Sequence, residues 1–398
     1  MHPPGADTVV VRYGDASIKS GQVRGRMEQQ LVENLGALLD DREIPGEVER
    51  RWARPLIRTD EEHIEAATEA AADAFGVTTV SPARTVEPEF EAILDVIGEI
   101  APAVYEGGSF AIDARRAGDL PFSSRDLGEQ GGAAVFEAVE FGPKVDLDDP
   151  DVTFFVEARQ EEAFVFLEKR AGPGGLPLGT QQPLVALVSG GIDSPVAAFR
   201  AMKRGSPIIP VYLELGPYGG PDHRARAMET VRTLARFAPN FDMRTWIVPA
   251  GEAAELLMEE MGKGRMLSYR RFMYAVAEAV ADSTGAVGIV TGEALGQKSS
   301  QTAANFAAVS RATDLPIHRP LLSLDKHEIT EEAKAIGTYD DSTIPAGCYR
   351  IAPDQVETAA SVEKLLEMEP EGLLEMARDA VEAAELVDPR ALAEVPAE

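Results

Sequence analysis

The sequence contains little cysteine, few lysines and no long apolar run. Its one cysteine, Cys348, excludes an intramolecular disulfide and any metal or iron–sulfur site built from several cysteines of one chain. The five histidines are scattered, so we predict no metal-ligating set. There is no run of ~18 apolar residues and no basic-then-apolar N-terminal signal. We therefore expect a cytoplasmic protein without a membrane segment.

Acidic residues greatly outnumber basic ones, 67 against 38, which gives a net charge of −29. Only 9 of the basic residues are lysine, and 29 are arginine. One interpretation is solubility, which would argue against a nucleic-acid partner. The other is adaptation to concentrated salt, where the Debye length falls to about 3 Å at ~1 M and long-range repulsion of phosphate largely disappears. The composition favours the second interpretation and does not exclude an RNA substrate.

A strand–turn–helix motif lies near the middle of the chain. The apolar residues 184–188 predict a buried parallel strand, Ser189-Gly190-Gly191 a tight turn, and residues from Pro195 onward a helix. Two glycines let backbone N–H groups converge, and the helix N-terminus adds a positive dipole end, so the turn is typical of an anion site. No GxxxxGK[ST] motif occurs, which excludes a Walker A loop. The pattern SGGxDS resembles instead the PP-loop, which holds the pyrophosphate end of ATP in adenylating enzymes.

Breaker-rich residues 172–179 predict a domain boundary. Before it, a β-α-β-β-α-β order favours a ferredoxin-like module, with a loop from Gly14 to Gly25 and strand-like material over Val48–Ile57. After it, strands and helices alternate, which predicts a doubly wound parallel sheet with its ligand outside the carboxyl ends of the strands. The last forty residues are acidic and have helical spacing.

Three further segments are ambiguous from residue types alone. Residues 291–302 form a second glycine-bearing loop after a predicted strand, and could be an ordinary polar loop. Asp325 lies near a helix start, and Lys326 beside it is either a solvated residue or a phosphate contact. Cys348 lies in a Pro/Gly loop two residues from Arg350, where it is either a small core residue or a stabilised thiolate.

The order of motifs resembles the ThiI-type tRNA 4-thiouridine synthetases along the whole chain. The similarity rests on an opening Val11-Arg12-Tyr13-Gly14-Asp15 with Lys19, and on SGGIDSPVA, TGEALGQKSSQT, RPLLSLDKHEI and a single cysteine after Ile336-Gly337-Thr338. The resemblance implies an α/β and α+β multidomain fold. Its parts would be a ferredoxin-like domain (1–78), a THUMP RNA-binding domain (79–171) and a doubly wound PP-loop domain of the adenine nucleotide α-hydrolase type with an acidic helical tail (180–398).

The resemblance also implies site residues. Backbone at Leu187 and Val188 would contact adenine, and the pyrophosphate loop would comprise Ser189, Gly190, Gly191, Asp193 and Ser194. Further ATP contacts would come from Arg270, Gly292 and Gln301. Asp193, Lys326 and Cys348 would be catalytic. One departure concerns the sulfur route: where archaeal relatives often carry a CxxC, this chain has Met266 and Tyr269, and the rhodanese domain of bacterial forms is absent.

The implied reaction transfers AMP from ATP to O4 of the uracil at position 8 of tRNA, with Mg²⁺ assisting, and then places sulfur on C4. The implied partners are the tRNA acceptor end, a sulfur donor (a persulfide carrier or sulfide) and a second copy in a homodimer, without DNA or membrane. Alternatives are another PP-loop tRNA modifier of the 2-thiouridine type, or an RNA-binding descendant that has lost sulfur transfer. Candidate RNA contacts are Arg50, Arg51, Arg54, Arg58, Arg115, Arg116 and Arg125.

Overall fold

The computed structural model describes residues 1–14, 20–51, 54–140, 142–219, 221–342, 351 and 357–392. These divide into two compact units, Met1–Pro177 and Leu178–Glu398. None of the described helices is long and apolar enough to cross a membrane. The predicted boundaries of three separate domains remain a prediction.

The described part of the first unit is built on one nine-stranded sheet covered by helices. Its strands are β1 (Thr8–Tyr13), β2 (Glu47–Arg51), β3 (Arg54–Arg58), β4 (Val77–Val86), β5 (Ser109–Arg116), β6 (Lys144–Val145), β7 (Val152–Ala158), β8 (Ala163–Phe166) and β9 (Arg170–Ala171). Its helices are α1 (Gly21–Asp41), α2 (Ile64–Ala72), α3 (Phe90–Val104) and α4 (Ser124–Ala138). The strand order is β2-β3-β1-β4-β8-β7-β5-β6, and β9 pairs with β4.

The ten-residue strand β4 joins the two halves of this sheet. It pairs antiparallel with β1 from Val77 to Ala83 and with β8 from Ala83 to Val86. The β1-α1-β2-β3-α2-β4 succession confirms the ferredoxin-like order. Buried apolar residues from α1 and α2 pack on one part of the sheet, and residues from α3 and α4 pack on another.

One local prediction in this unit was wrong, and another is confirmed in more detail. The predicted loop from Gly14 to Gly25 ends earlier, because α1 already begins at Gly21. The helix extends there because Val23 and Met27 pack with Leu176, a contact that local periodicity does not reveal. The segment Val48–Ile57 forms two antiparallel strands, β2 and β3, with Arg51 opposite Arg54.

The described part of the second unit contains a six-stranded sheet of order β14-β13-β10-β11-β12-β15. The strands are β10 (Leu184–Leu187), β11 (Ile208–Glu214), β12 (Thr245–Pro249), β13 (Ile289–Val290), β14 (Ile317–His318) and β15 (Glu385–Val387). The helices are α5 (Asp193–Lys203), α6 (Pro221–Ala235), α7 (Gly251–Glu260), α8 (Arg265–Thr284), α9 (Ala303–Val309), α10 (Lys326–Ile336), α11 (Val362–Met368) and α12 (Met376–Glu382).

The first five strands of this order are parallel, as predicted, and β10 lies between β13 and β11. Val185 of β10 is fully buried, which explains its unbroken apolar sequence. The short β15 was not predicted; it runs antiparallel to β12 at the sheet edge. The chain leaves β10 in one direction towards β11 and crosses over to β13 on the other side. The loops after β10 and β13 therefore flank a topological switch point, where open α/β sheets bind ligands.

Candidate functional site

The turn after β10 is held in shape by its two serines. The Ser189 N–H donates to Ser194 Oγ at 2.9 Å, and Ser194 Oγ donates to the Ser189 carbonyl at 3.2 Å. The Gly191 N–H donates to Ser189 Oγ at 3.3 Å. These bonds bring residues 189–194 into one compact loop. Two hydroxyls of the predicted pyrophosphate loop thus hold its backbone in shape.

The loop after β13 lies directly against the start of α5. A Cβ built on Gly292 would lie 2.7 Å from both the carbonyl carbon of Asp193 and the amide nitrogen of Ser194, closer than side-chain carbons pack. Only glycine therefore allows the two loops to approach this far. The ambiguous segment 291–302 is consequently part of the same site as the turn after β10.

Asp193 is the point where three elements meet. Lys326 Nζ lies 2.8 Å from Asp193 Oδ1. Gln297 Nε2, from the loop after β13, lies 3.2 Å from each of the two carboxylate oxygens. Asp325 caps α10 by accepting from the backbone N–H groups of His327 and Glu328, and this cap fixes the helix start that carries Lys326. Residue types alone left Lys326 ambiguous and the family resemblance implied a catalytic role; in the structure Lys326 contacts Asp193.

A buried ionic cluster supports the loop after β13. Glu293 accepts from Tyr274 Oη at 2.6 Å and from Arg319 Nε at 2.7 Å, and Arg270 Nε lies 2.8 Å from its other oxygen. Burial and the neighbouring Glu293 charge raise the pKa of Tyr274, so its hydroxyl stays protonated and donates. Arg270 on α8, predicted as an ATP contact, is thus held by Glu293 of the loop after β13.

Two glutamines of this loop have buried oxygen atoms without a hydrogen-bond partner among the described residues. These atoms are Gln297 Oε1 and Gln301 Oε1. The Gln301 carbonyl accepts from the Gly296 N–H at 2.7 Å, which closes the loop on itself. Buried acceptors without partners are rare, and they are typical of sites that bind a ligand.

Arg226 on α6 is a site residue that the sequence reasoning missed. A Cβ on Gly190 would lie 3.0 Å from Arg226 Cβ, so the arginine lies against the turn. Its Nη1 is buried without a hydrogen-bond partner, and it forms no ion pair within the described part of the chain. Gln297 and Glu293 were missed as well, although both lie within the TGEALGQKSSQT motif. No sequence motif indicated Arg226, because it lies on α6, which follows β11, whereas the recognised motifs follow β10 and β13.

The remaining residues singled out in the sequence form three sets, which differ in where they lie. Leu187 and Val188 are buried at the end of β10, and the Val188 N–H already donates to the Val211 carbonyl at 2.9 Å. Cys348 lies outside the described residues. Met266 and Tyr269, in place of a CxxC, lie on α8, where Tyr269 is part of the hydrophobic core.

The arginines predicted to contact RNA all lie in the first unit, and six of them are paired with acidic residues. The ion pairs are Arg50–Glu28 at 3.2 Å, Arg51–Glu49 at 2.9 Å, Arg115–Asp113 at 3.6 Å, Arg125–Glu129 at 2.8 Å, Arg54–Glu157 and Arg58–Glu162. Arg116 donates to the Gly118 carbonyl at 2.9 Å. Much of the arginine charge in this unit is therefore balanced within the protein.

Comparison with protein families gives three consecutive matches. Residues 8–81 match the ThiI ferredoxin-like domain, residues 87–168 the THUMP domain, and residues 179–374 the family described as thiamine biosynthesis protein (ThiI). These matches agree with the fold that the motifs implied.

Comparison with individual proteins extends this similarity to nearly the full chain. A probable tRNA sulfurtransferase of Halobacterium salinarum is 58% identical over 380 residues, covering 95% of this chain and 96% of its own. One of Methanosarcina acetivorans is 42% identical over 388 residues, covering 96% and 93%. A solved 4-thiouridine synthetase in complex with RNA and bound ATP superposes with a TM-score of 0.85 at 29% identity, covering 96% of this chain and 100% of that one. The chain therefore belongs to the ThiI family of tRNA sulfurtransferases.

Proposed function

We propose that this sulfurtransferase makes 4-thiouridine at position 8 of tRNA, in an adenylation step followed by a sulfur-transfer step. One observation carries the assignment of the adenylation site: the loops after β10 and β13 meet at Gly292 around Asp193, at the switch point of the sheet. The RNA and ATP of the superposed 4-thiouridine synthetase support the choice of substrates.

The residues at this point fit ATP. The turn at Ser189–Gly191 and the Arg226 side chain, whose Nη1 has no hydrogen-bond partner among the described residues, suit the triphosphate, because converging N–H groups and a guanidinium cation both favour an anion. Leu187 and Val188 border the adenine position; since the Val188 N–H is already bonded, its carbonyl is the group that an adenine amino group would meet. Gly292, Gln301 and Arg270 lie on the side of the loop after β13 and complete the nucleotide contacts.

Mg²⁺ also fits, provided that ATP supplies most of its ligands. Mg²⁺ is usually held by one or two carboxylates together with substrate phosphates and waters. Asp193 is the carboxylate at the loop, and Lys326 and Gln297 hold it in a fixed orientation. The ion would neutralise phosphate charge as the pyrophosphate leaves. Lys326 itself places a second positive charge beside the same group.

The chemistry follows from the leaving groups. Uracil O4 attacks the α-phosphorus of ATP, pyrophosphate leaves, and the N3 proton is lost. The oxygen is now part of a good leaving group, so a sulfur nucleophile attacks C4 and AMP departs with O4. With sulfide as donor, the product forms directly. With a persulfide on Cys348, the terminal sulfur attacks C4, and a second thiol must then reduce the resulting disulfide to release the thiolated tRNA.

The test supplies purified protein with ATP, tRNA and a low-molecular-weight persulfide as the sulfur donor, and compares wild type with Cys348→Ser. We expect both proteins to release AMP and pyrophosphate only with tRNA present, and only wild type to form 4-thiouridine at full rate. If the serine variant thiolates as fast as wild type, Cys348 carries no sulfur and the sulfur of the donor attacks the base directly. Loss of tRNA-dependent pyrophosphate release by wild type would point to an RNA-binding descendant, and 2-thiouridine in the product to the other modification.

A further inference from the structure

The first unit contains a pocket of about 190 Å³, and five of its eight lining residues are arginine. It lies on the sheet, at strands β1, β3, β5 and β7. The charged residues around it are Arg12, Arg54, Arg115, Arg116, Arg159 and one acid, Glu157. Five guanidinium groups and one carboxylate form a concentrated positive site in a chain of net charge −29.

The single carboxylate is already shared between two of the arginines. Glu157 Oε1 accepts from Arg12 Nε at 3.0 Å and Nη2 at 2.7 Å, and its other oxygen is paired with Arg54. Burial alone would raise the pKa of Glu157, but the charges of Arg54 and Arg12 outweigh this and lower the pKa. Glu157 is therefore ionised and saturated, and it cannot balance the remaining cations.

Arg159 is the cation that stays uncompensated. Its Nε is buried without a hydrogen-bond partner, and none of the described acidic residues pairs with its side chain. Burial, and then the charge of Arg54, lower the pKa of Arg159 from its ordinary value. Arg54 Nε, in the same pocket, is also buried and has no hydrogen-bond partner in the described part of the chain. Leaving buried donors of charged groups unpaired costs free energy, so an anion that accepts hydrogen bonds from them would stabilise the pocket.

We propose that this pocket binds one phosphate group of the tRNA substrate. Arginine forks match phosphate oxygens in geometry and charge, and several forks around one cavity suit a single tetrahedral dianion or diester. The cavity has the volume of roughly six waters at about 30 Å³ each, which fits a phosphate group with part of its sugar. The proposal rests on the proposed function, because that function supplies RNA as the phosphate source.

The first experiment uses inorganic phosphate as the probe, in concentrated KCl held constant. We expect phosphate to raise the Tm of the wild-type protein by about 3 °C, and that of Arg159→Gln by less than about half as much. The matched control is Arg244→Gln, because Arg244 is 53% exposed, is paired with Asp242 in the second unit and does not line the pocket. It should respond to phosphate like wild type. Equal shifts for wild type and Arg159→Gln would overturn the proposal.

Glu157→Gln tests the same charge balance by removing the negative charge of the pocket's acidic lining residue, where Arg159→Gln removes a positive one. Without their shared carboxylate, Arg12 and Arg54 repel each other, so we expect a lower Tm than wild type in chloride alone. Phosphate should then raise the Tm of this variant by more than it raises that of wild type. A phosphate shift equal to or smaller than the wild-type shift would contradict the proposal, whatever the variant's starting stability.

The tRNA arm distinguishes an RNA phosphate from a free one. We expect Arg159→Gln to weaken tRNA binding about tenfold and Arg244→Gln by less than about twofold, with Arg159→Lys intermediate. Unchanged tRNA affinity in Arg159→Gln overturns the proposal, since the pocket would then hold only free anions. Failure of the wild-type protein to bind tRNA would instead overturn the proposed function.

Discussion

At the scale of single residues, the candidate site depends on how Asp193 is held. Its carboxylate contacts the ammonium group of Lys326 on α10 and the side-chain amide of Gln297 in the loop after β13, so its position depends on both elements. Both Asp193 and Lys326 were predicted from sequence, because they belong to the recognisable motifs SGGIDSPVA and RPLLSLDKHEI. Their direct contact could not be predicted, since more than a hundred positions separate them and no local rule links a turn to a distant helix start.

Asp193→Ala should abolish tRNA-dependent adenylation and leave the fold intact. The substitution removes the carboxylate that would orient Mg²⁺·ATP, and it leaves Lys326 without its partner. Pyrophosphate release with tRNA and ATP is the measurement, with circular dichroism to verify folding. The matched control is Asp282→Ala, an exposed aspartate on α8 away from the site. A release rate in Asp193→Ala equal to that of the control would show that Asp193 has no role in the reaction.

At the scale of elements, the site exists because two loops at the ends of parallel strands approach very closely. The alternation of strands and helices predicted a doubly wound sheet, and the structure confirms it. The sequence could not show that residues 291–302 touch the start of α5. That contact is possible because Gly292 has no side chain. A glycine in a loop can be required for several structural reasons, so the sequence alone does not indicate this one. The position of Arg226 beside the turn was equally invisible, because it depends on the packing of α6 against Gly190.

Gly292→Ala should separate the two loops. The added Cβ would lie 2.7 Å from backbone atoms of Asp193 and Ser194, which cannot move aside as a flexible side chain could. We expect the unfolding free energy to fall by about 1–3 kcal/mol and the KM for ATP to rise, as overpacking displaces the loop. Gly262→Ala is the control, because its Cβ would meet no atom within 4 Å. Equal stability and KM in the two variants would rule out this close approach.

At the scale of the whole molecule, charge is the dominant feature. The net charge of −29 is spread over a surface on which many arginines of the first unit are already paired with acids. Composition predicted that an RNA substrate was compatible with this acidity, but it could not predict which arginines stay unpaired. Arg159 was not among the candidates, and only the packing of β1, β3, β5 and β7 reveals its position.

The affinity for tRNA should fall only weakly with salt. Each phosphate that a protein neutralises contributes about −0.7 to −0.9 to the slope of log K against log salt. With most arginines paired internally, few phosphates are neutralised, so we expect a slope far shallower than the value of about −10 seen for a basic repressor. Binding titrations in KCl from about 0.5 to about 3 M, across which the Debye length shortens severalfold, would measure it. A slope as steep as the repressor's would refute adaptation to concentrated salt.

The course of β4 through the first sheet has a consequence for the protein's synthesis on the ribosome. Once β4 has emerged, one of its sides pairs with β1, but its other side awaits β8, which follows roughly 80 residues later. At about 5–20 residues per second, that interval lasts on the order of 4 to 16 s. Throughout it, a row of unpaired backbone groups beside buried apolar residues is open to other chains. The nascent protein therefore needs chaperone protection of this strand edge while the residues between β4 and β8 are being translated.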